Sequence, residues 1–408
     1  MNTKLLDKVL EVGLYEYGHE CCPLKSKWAP YIDGAIKAKR LIVAYNNADY
    51  TYATLPMFKT DADLIVSGIK TVCKAFDIGE AVIYLPETAC EDIVTAVKAY
   101  PLDIKVELGR VIVQDTDETD LIHHPETIAN IARVLSAGEP QYTVLVRRGD
   151  VEKTVSVTLG SSVGDMLNAA GMTADKDATI IIGGLFGTMV KGGAASAHMY
   201  GLANSVIDVF DGKFCVVSFA QKASEYAAEN TCGRCTFCRE GNRQLAAFLK
   251  NAVSGHGGEE DMGWIRTLAE AVKEEGVCSF GKESTAFIAE TIASHNKSYY
   301  AHIRGKRCDA DVCQSFTDYA VDGSLCVGCD KCRQVCEYGA ITDEPGYIHR
   351  IDTFDCTKCG KCAEVCPEKA IYKVRVGRLI GPTKSTKVGR FRRIFHPSVG
   401  SVPPAYRI

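Results

Sequence analysis

The sequence predicts a multidomain α/β protein: a parallel α/β domain over 1–140, a β-grasp domain over 141–205, a helical domain over 206–305, a small α+β domain over 306–372 and a basic tail over 373–408. Three observations predict it. Strand-like and helix-like segments alternate from 38 to 105, short alternating strands with a glycine-rich turn fill 141–200, and a run of four cysteines recurs at the same spacing thirty residues later. With 408 residues, 46% hydrophobic and 24% charged, the chain has the length and composition of a soluble protein of two to four domains. No stretch approaches a membrane span, and MNTKLLDKVLEVG lacks the long apolar core of a signal peptide, so a cytoplasmic location is expected. A net charge of −4 argues against general nucleic-acid binding.

The first domain follows from RLIVAYN, LIVSGIKTVCKAF, GEAVIYLP and ACEDIVTAVKAY, whose order implies a parallel sheet with ligands expected at the strand C-termini. The second follows from YTVLVRRG, VEKTVSVTL, the helical GDMLNAAG and ATIIIGGLFGTMV. Its glycines, Gly183, Gly184 and Gly187, are read as a close-packing turn rather than a phosphate loop.

Cysteine spacing carries the chemistry. In ENTCGRCTFCREGN, Cys232, Cys235 and Cys238 precede the amphipathic QLAAFLKNAV, and Cys278 follows forty residues on in GVCSFG. Three thiolates from one loop plus a distant fourth suit a [4Fe-4S] cube, and a helix N-terminus with Arg234 and Arg239 nearby favours its negative charge. A helix over 258–275 would return Cys278 to the loop. Further on, CVGCDKCRQVC and CTKCGKCAEVCP have the spacing of a two-cluster ferredoxin, in which each run lends its last cysteine to the other cube. Cys326, Cys329, Cys332 and Cys366 are therefore assigned to one cluster, and Cys356, Cys359, Cys362 and Cys336 to the other. Zinc knuckles, the competing reading, usually pair two CxxC units and add histidine. Nineteen cysteines bunched at metal spacings point to a reducing, anaerobic interior rather than a disulfide framework. In the tail, nine Lys or Arg without an acidic residue, interleaved with Leu379, Ile380, Phe391, Ile394 and Phe395, read as a docking arm, with a solvated segment as the alternative.

ENTCGRCTFCREGN followed by GVCSFG resembles the cluster-bearing helical domain of the flavin and NADH subunit of respiratory complex I and of NAD-linked hydrogenases. The hydrogenase-type proteins also append a two-cluster ferredoxin, and the glycine-rich turn matches their ubiquitin-like module. In that family the flavin phosphate lies on a loop written approximately GLRGRGGAGFPTGLKW; here Gly13 to Trp28 reads GLYEYGHECCPLKSKW. Gly13, Leu14, Gly18, Pro23, Lys27 and Trp28 keep the frame, while glycines become Glu16, His19 and Cys21 and arginines become Tyr15 and Tyr17. Side chains there would take the ligand's volume, and Glu16 and Glu20 would set negative charge beside a phosphate.

A second motif, approximately VCNADEGEPGTFKDR, appears as AYNNADYTYATLPMFK, with Tyr50 and Tyr52 at the family's acidic positions. The GEETALI and PPFP strings are missing, and DTDETDLIHHPETIANIARVL runs directly into the segment that resembles NVETLANV. The domain is therefore expected to be a retained scaffold without NADH oxidation and without FMN. If FMN is retained, tyrosines and Trp28 would rebuild its pocket, with Lys27, Asn47 and Asp49 as polar anchors. Cys308 and Cys313 match a CPAGVC string of hydrogenase-type relatives, and with Cys215 and His302 (or His295) they could hold a structural zinc; buried thiols are the alternative.

The reading that follows is an electron-transfer subunit with three [4Fe-4S] clusters, working in a heteromeric complex between a catalytic oxidoreductase subunit and a soluble ferredoxin or flavoprotein. An FMN-dependent NADH:acceptor oxidoreductase is the first alternative. A membrane-peripheral subunit of the Rnf or cobalamin-reductase kind is the second.

Overall fold

The computed structural model describes residues 6–17, 22–45, 48–111, 116–158, 160–195, 205–376 and 381–391. The chain divides into two compact units, Met1–Leu249 with Met262–Asn296, and Lys250–Asp261 with Lys297–Ile408.

The first unit opens on a parallel sheet of β1 (Arg40–Val43), β2 (Glu80–Leu85), β3 (Lys105–Leu108) and β4 (Asp120–His123), in the order β3-β2-β1-β4. Arg40 stands opposite both Glu80 and Asp120, and its guanidinium donates two 2.8 Å bonds to Asp120, which ties β1 to β4. The chain runs outward from β1 to β3 and then returns to the far side of β1. That reversal makes the C-terminal ends of β1 and β4 the switch point at which open α/β sheets present a ligand crevice. Between β1 and β2 the helix Ala62–Phe76 buries Ile65, Val66, Ile69, Val72 and Phe76, one face at helical spacing. Gly68 lets it approach the helix Pro125–Leu135, because a Cβ there would stand 2.2 Å from the Ile128 carbonyl oxygen.

A five-stranded mixed sheet follows, with β5 (Gln141–Arg148), β6 (Val151–Thr158), β7 (Thr179–Ile182), β8 (Thr188–Lys191) and β9 (Val206–Phe210) in the order β6-β5-β9-β7-β8. β9 is its central strand, parallel to β5 and antiparallel to β7, although the sequence reading ended the sheet domain at 205. Buried on four of five positions and only five residues long, VIDVF gives no alternation to read. Helices Val216–Asn230, Thr236–Ser254, Asp261–Glu275, Ser279–Glu283 and Ala286–Ser294 complete the helical part.

In the second unit β10 (Thr317–Val321) pairs antiparallel with β13 (Ile371–Arg375), and β11 (Ile341–Thr342) with β12 (Arg350–Ile351). The sequence repeat is also a backbone repeat: Gly328 and Lys358, Asp330 and Gly360, and Gly339 and Lys369 all have positive φ, at matching positions of the two halves. Glycine alternates between the halves at these positions, so the turn is required even where a side chain must bear it. The halves interlock, Asp322 N donating to Ala370 O at 2.7 Å and Asp352 N to Ala340 O at 2.8 Å.

The tail, read as an arm for a partner, is in its described part 381–391 folded onto its own unit. Ile348 N donates to Thr386 O, Val388 N donates to Gly346 O, and Phe391 lies against Gly323, where any Cβ would meet the ring at 2.8 Å. Four of its nine basic residues, Arg378, Arg392, Arg393 and Arg407, and the apolar Leu379, Ile380, Ile394 and Phe395 lie outside the described residues. Among the described residues no helix is long and apolar enough to cross a membrane.

Candidate functional site

Two cavities of the second unit each gather four cysteines. Cys326, Cys329, Cys332 and Cys366 line one, beside the buried His349; Cys336, Cys356, Cys359 and Cys362 line the other, beneath Tyr319. Each set thus takes three thiols from its own loop and one from the other half of the repeat. Burial pushes the Cys332 thiol up to about 12, with Cys326 and Cys366 adding to it, and pushes Cys362 up to about 11, with Cys356 and Cys359 adding. Thiols so crowded ionise together only around a cation, which is the condition a metal cluster meets. Backbone amides are already turned to the sulfurs: Lys358 N donates to Cys356 Sγ at 3.4 Å, and Ala370 N to Cys366 Sγ at 3.2 Å.

A third set lies in the first unit. Cys232 and Cys235 sit on the turn before the helix Thr236–Ser254, Cys238 lies in its first turn, and Cys278 caps the helix Ser279–Glu283. Close backbone approaches bring them together. A Cβ on Gly241 would stand 2.2 Å from Val272 Cγ2, and one on Gly276 would stand 2.8 Å from the Gly281 backbone. Burial raises the Cys278 thiol first, and Cys232 and Cys235 raise it further, so the four feel one another's charge. Cys235, Cys238 and Cys278 pack with Phe186, Phe280 and Ala48.

The crevice at the ends of β1 and β4 is filled from within. Glu16 is buried, and its Oε1 accepts from His124 N at 2.9 Å and Thr127 Oγ1 at 3.0 Å, at the N-terminus of the helix Pro125–Leu135. Its Oε2 pairs with Lys27 Nζ at 3.2 Å and with His123 Nδ1. Trp28 Nε1 can only donate, and it faces His123 Nε2 at 3.0 Å; Nε2 is therefore the acceptor, and Nδ1 carries the proton toward Glu16. A helix N-terminus with a lysine beside it is an anion site, and here the anion is a side chain of the chain itself.

Aromatic rings close the rest. Tyr17 lies on His124 with centroids 4.4 Å apart, and Tyr45 meets His124 and Tyr52 edge-on at 5.0 and 5.2 Å. Asp49 is buried and accepts from Tyr52 N at 3.0 Å; Asn47 lies outside the described residues, as do Gly18, His19, Glu20 and Cys21. The proposed anchors Lys27 and Asp49 are thus turned to the protein's own groups. His123, His124 and Thr127 are functional neighbours that the sequence reading passed over, although HHPET at a helix start was a usable signal. Tyr50 leaves the crevice altogether, accepting from Arg147 Nη2 at 2.6 Å, while Arg147 grips Asp208 of β9.

Glu126 is the other buried acid of this region. Its Oε1 accepts from Thr143 N at 2.7 Å, its Oε2 has no partner, and burial pushes it up to about 8. A carboxyl with a raised folded pKa binds its proton more tightly in the native state, so stability is full below the unfolded value near 4.5 and is lost as pH rises toward 8. Glu126→Gln is expected to flatten that dependence, by on the order of 3 kcal/mol between pH 4.5 and 7. Urea melts at the two pH values check it; an unchanged pH slope would mean the acid is not buried as described.

In the second unit His302, Cys308 and Cys313 are buried and close, with His302 Nε2 3.4 Å from Cys313 Sγ and Nδ1 held by Ser298 O at 2.8 Å. A histidine whose Nδ1 donates to a carbonyl presents Nε2 as a lone pair, the form a metal takes. Cys215, in the first unit, caps the helix Val216–Asn230 and is buried. His295 caps the helix Ala286–Ser294 of that unit and meets Ser294 Oγ at 2.9 Å.

Residues 218–302 match the family described as the NADH-ubiquinone oxidoreductase-F iron-sulfur binding region, and residues 291–371 match the 4Fe-4S dicluster domain. The NADP-reducing hydrogenase subunit HndC of Solidesulfovibrio fructosivorans is 32% identical over 134 residues, 33% of this chain and 27% of that protein. The NADH-quinone oxidoreductase of Streptomyces coelicolor has a subunit that is 28% identical over 125 residues, 31% of this chain and again 27% of that protein. The matched stretch therefore spans about a quarter of these relatives. Among solved structures, NAD+-reducing [NiFe]-hydrogenase in its H2-reduced state superposes with a TM-score of 0.59 at 18% identity, over 74% of this chain and 62% of that one, a likeness of fold. The chain thus carries [4Fe-4S]-binding domains and, on the strength of its cysteine-bearing segments, resembles the flavin subunit of complex I and of NAD-linked hydrogenases.

Proposed function

We propose that the protein is an electron-transfer subunit with three [4Fe-4S] clusters, working between a catalytic oxidoreductase subunit and a soluble electron carrier, and that its parallel sheet keeps the scaffold of a flavin domain without the flavin. The observation that carries this is the contrast between three converging cysteine sets and a crevice occupied by Glu16, Tyr17 and Tyr45. When bound, such clusters take up and release one electron at a time. The chain supplies twelve thiolates, amide donors to their sulfur and burial, and none of its residues need act as acid, base or nucleophile. Cys232, Cys235, Cys238 and Cys278 hold one cluster, and the crossed ferredoxin sets hold the other two. FMN does not fit, because its phosphate would compete with the Glu16 carboxylate for the same backbone amide and lysine.

The mixed sheet is read as a β-grasp module, from its strand order. The heteromeric assembly is read from relatives named as subunits, and their hydrogenase and quinone-reductase titles leave the catalytic partner open. The reading also places the protein in a reducing cytoplasm. Anaerobically purified protein should hold about twelve irons per chain, release no flavin and reduce no dye with NADH. Stoichiometric FMN with NADH-dependent bleaching would instead establish the NADH:acceptor oxidoreductase.

A structural zinc with His302, Cys308 and Cys313 among its ligands is proposed alongside, since thiolates and an oriented imidazole are zinc's donors. One zinc per chain is expected by metal analysis, lost in Cys313→Ala; a zinc-free native protein sinks this part alone.

A further inference from the structure

Two side chains approach the sulfur of Cys238. Thr231 Oγ1 stands 3.3 Å from Cys238 Sγ and accepts from Gly233 N at 3.3 Å; a cluster-ligating thiolate carries no proton, so the hydroxyl is the donor to the sulfur. Asn242 Nδ2 lies 3.5 Å from the same sulfur. The orientation of that amide is fixed by its other neighbours. Cys238 O, at 3.0 Å, can only accept, and Ser284 Oγ, at 3.1 Å, gives its own proton to Gly281 O at 2.9 Å. The nitrogen must therefore face the cysteine, and because its two hydrogens also serve Cys238 O and Ser284 Oγ, the sulfur receives a shared, three-centre bond from it.

This orientation has a cost. Asn242 is fully buried and its Oδ1 has no partner, a penalty that a leucine of similar size would avoid. By contrast, the backbone amides of Lys358, Ala370, Arg333 and Ala363 donate to ferredoxin-set sulfurs.

We propose that Thr231 and Asn242 are positioning residues that raise the midpoint potential of the helical-domain cluster by donating hydrogen bonds to its Cys238 ligand. The inference rests on the three-cluster reading. A reduced cluster carries one more negative charge than the oxidised one, and donors to a ligand sulfur stabilise that extra charge. Two donors converging on one thiolate therefore favour an electron resting on the helical-domain cluster, relative to the same site with apolar neighbours. No proton is transferred: the electron comes from the reduced carrier and the donors keep their hydrogens.

The test is a redox titration of the holoprotein followed by electron paramagnetic resonance, with the helical-domain signal assigned as the one missing from Cys278→Ala. Thr231→Val should lower the reduced-to-oxidised ratio of that cluster at a fixed potential roughly fivefold, the equilibrium factor of one net hydrogen bond, and Asn242→Leu should lower it by less. The double variant should lower it further, Thr231→Ser should restore the native ratio, and the ferredoxin signals should not move. An unmoved ratio in Thr231→Val with its iron intact overturns the proposal, as does an equal shift of all three clusters. If Asn242→Leu loses its cluster, the Thr231→Val and Thr231→Ser pair decides. Failure of the underlying reading looks different: native protein with about eight irons has no helical-domain cluster to titrate.

Discussion

Cys326→Ala combined with Cys336→Ala should remove about eight irons per chain, whereas Cys326→Ala combined with Cys366→Ala should remove only about four, no more than either alone. The difference tests the crossing of ligands between the two halves of the repeat. If each half served its own cluster, Cys326 and Cys336 would belong to one cube, and their joint loss would cost only about four irons. The structure lines one cavity with Cys326, Cys329, Cys332 and Cys366 and the other with Cys336, Cys356, Cys359 and Cys362. Non-additivity in the Cys326 and Cys366 pair, with additivity in the Cys326 and Cys336 pair, is thus the expected pattern. Adding Cys278→Ala to the Cys326 and Cys336 pair should leave almost no iron. Total iron and sulfide per chain measure all of these, and the reverse pattern between the two pairs would reject the crossed arrangement.

Glu16→Leu should destabilise the first unit by about 3–5 kcal/mol, the range for leaving a buried ionic partner uncompensated. The leucine removes a carboxylate that satisfies Lys27, His123, the amide of His124 and the hydroxyl of Thr127 at once. Lys27 then loses the carboxylate that stands 3.2 Å from its Nζ. Glu16→Gln keeps an acceptor without the charge and should cost less. The double variant Glu16→Leu with Lys27→Met should recover part of the loss, since both charges leave together. Thermal unfolding of the full chain reads these effects. Equal stability of Glu16→Leu and the native chain would show that the carboxylate is not the resident anion of the crevice, and would reopen that space to a phosphate-bearing ligand.

The metal chemistry was legible in the sequence because it depends on local spacing. Three cysteines in a CxxCxxC turn fix which thiols can converge, and the thirty-residue recurrence identifies the halves even where glycine and a side-chain residue trade places at Gly328 and Lys358 or Asp330 and Gly360. The substitutions at Glu16 and Tyr17 were visible as well, but their consequence was not. Sequence alone suggested an acid that would repel a phosphate. The fold instead brings Lys27, His123 and Thr127 around it, two of them more than a hundred residues away, and makes it their shared partner.

The same distance in sequence hid β9, whose place between β5 and β7 is settled by pairing across the sheet rather than by its own pattern. It also hid the tail. A run of basic and apolar residues does not reveal its docking surface, and Phe391 rests on Gly323 only because that glycine leaves room for the ring. By itself, then, the sequence determined the periodic elements and which cysteines are grouped, since periodicity and ligand spacing act over a few residues. Only the tertiary structure decided what fills the crevice, which donors reach Cys238 and where residues 381–391 lie, because burial and charge pairing depend on residues that the chain brings together only on folding.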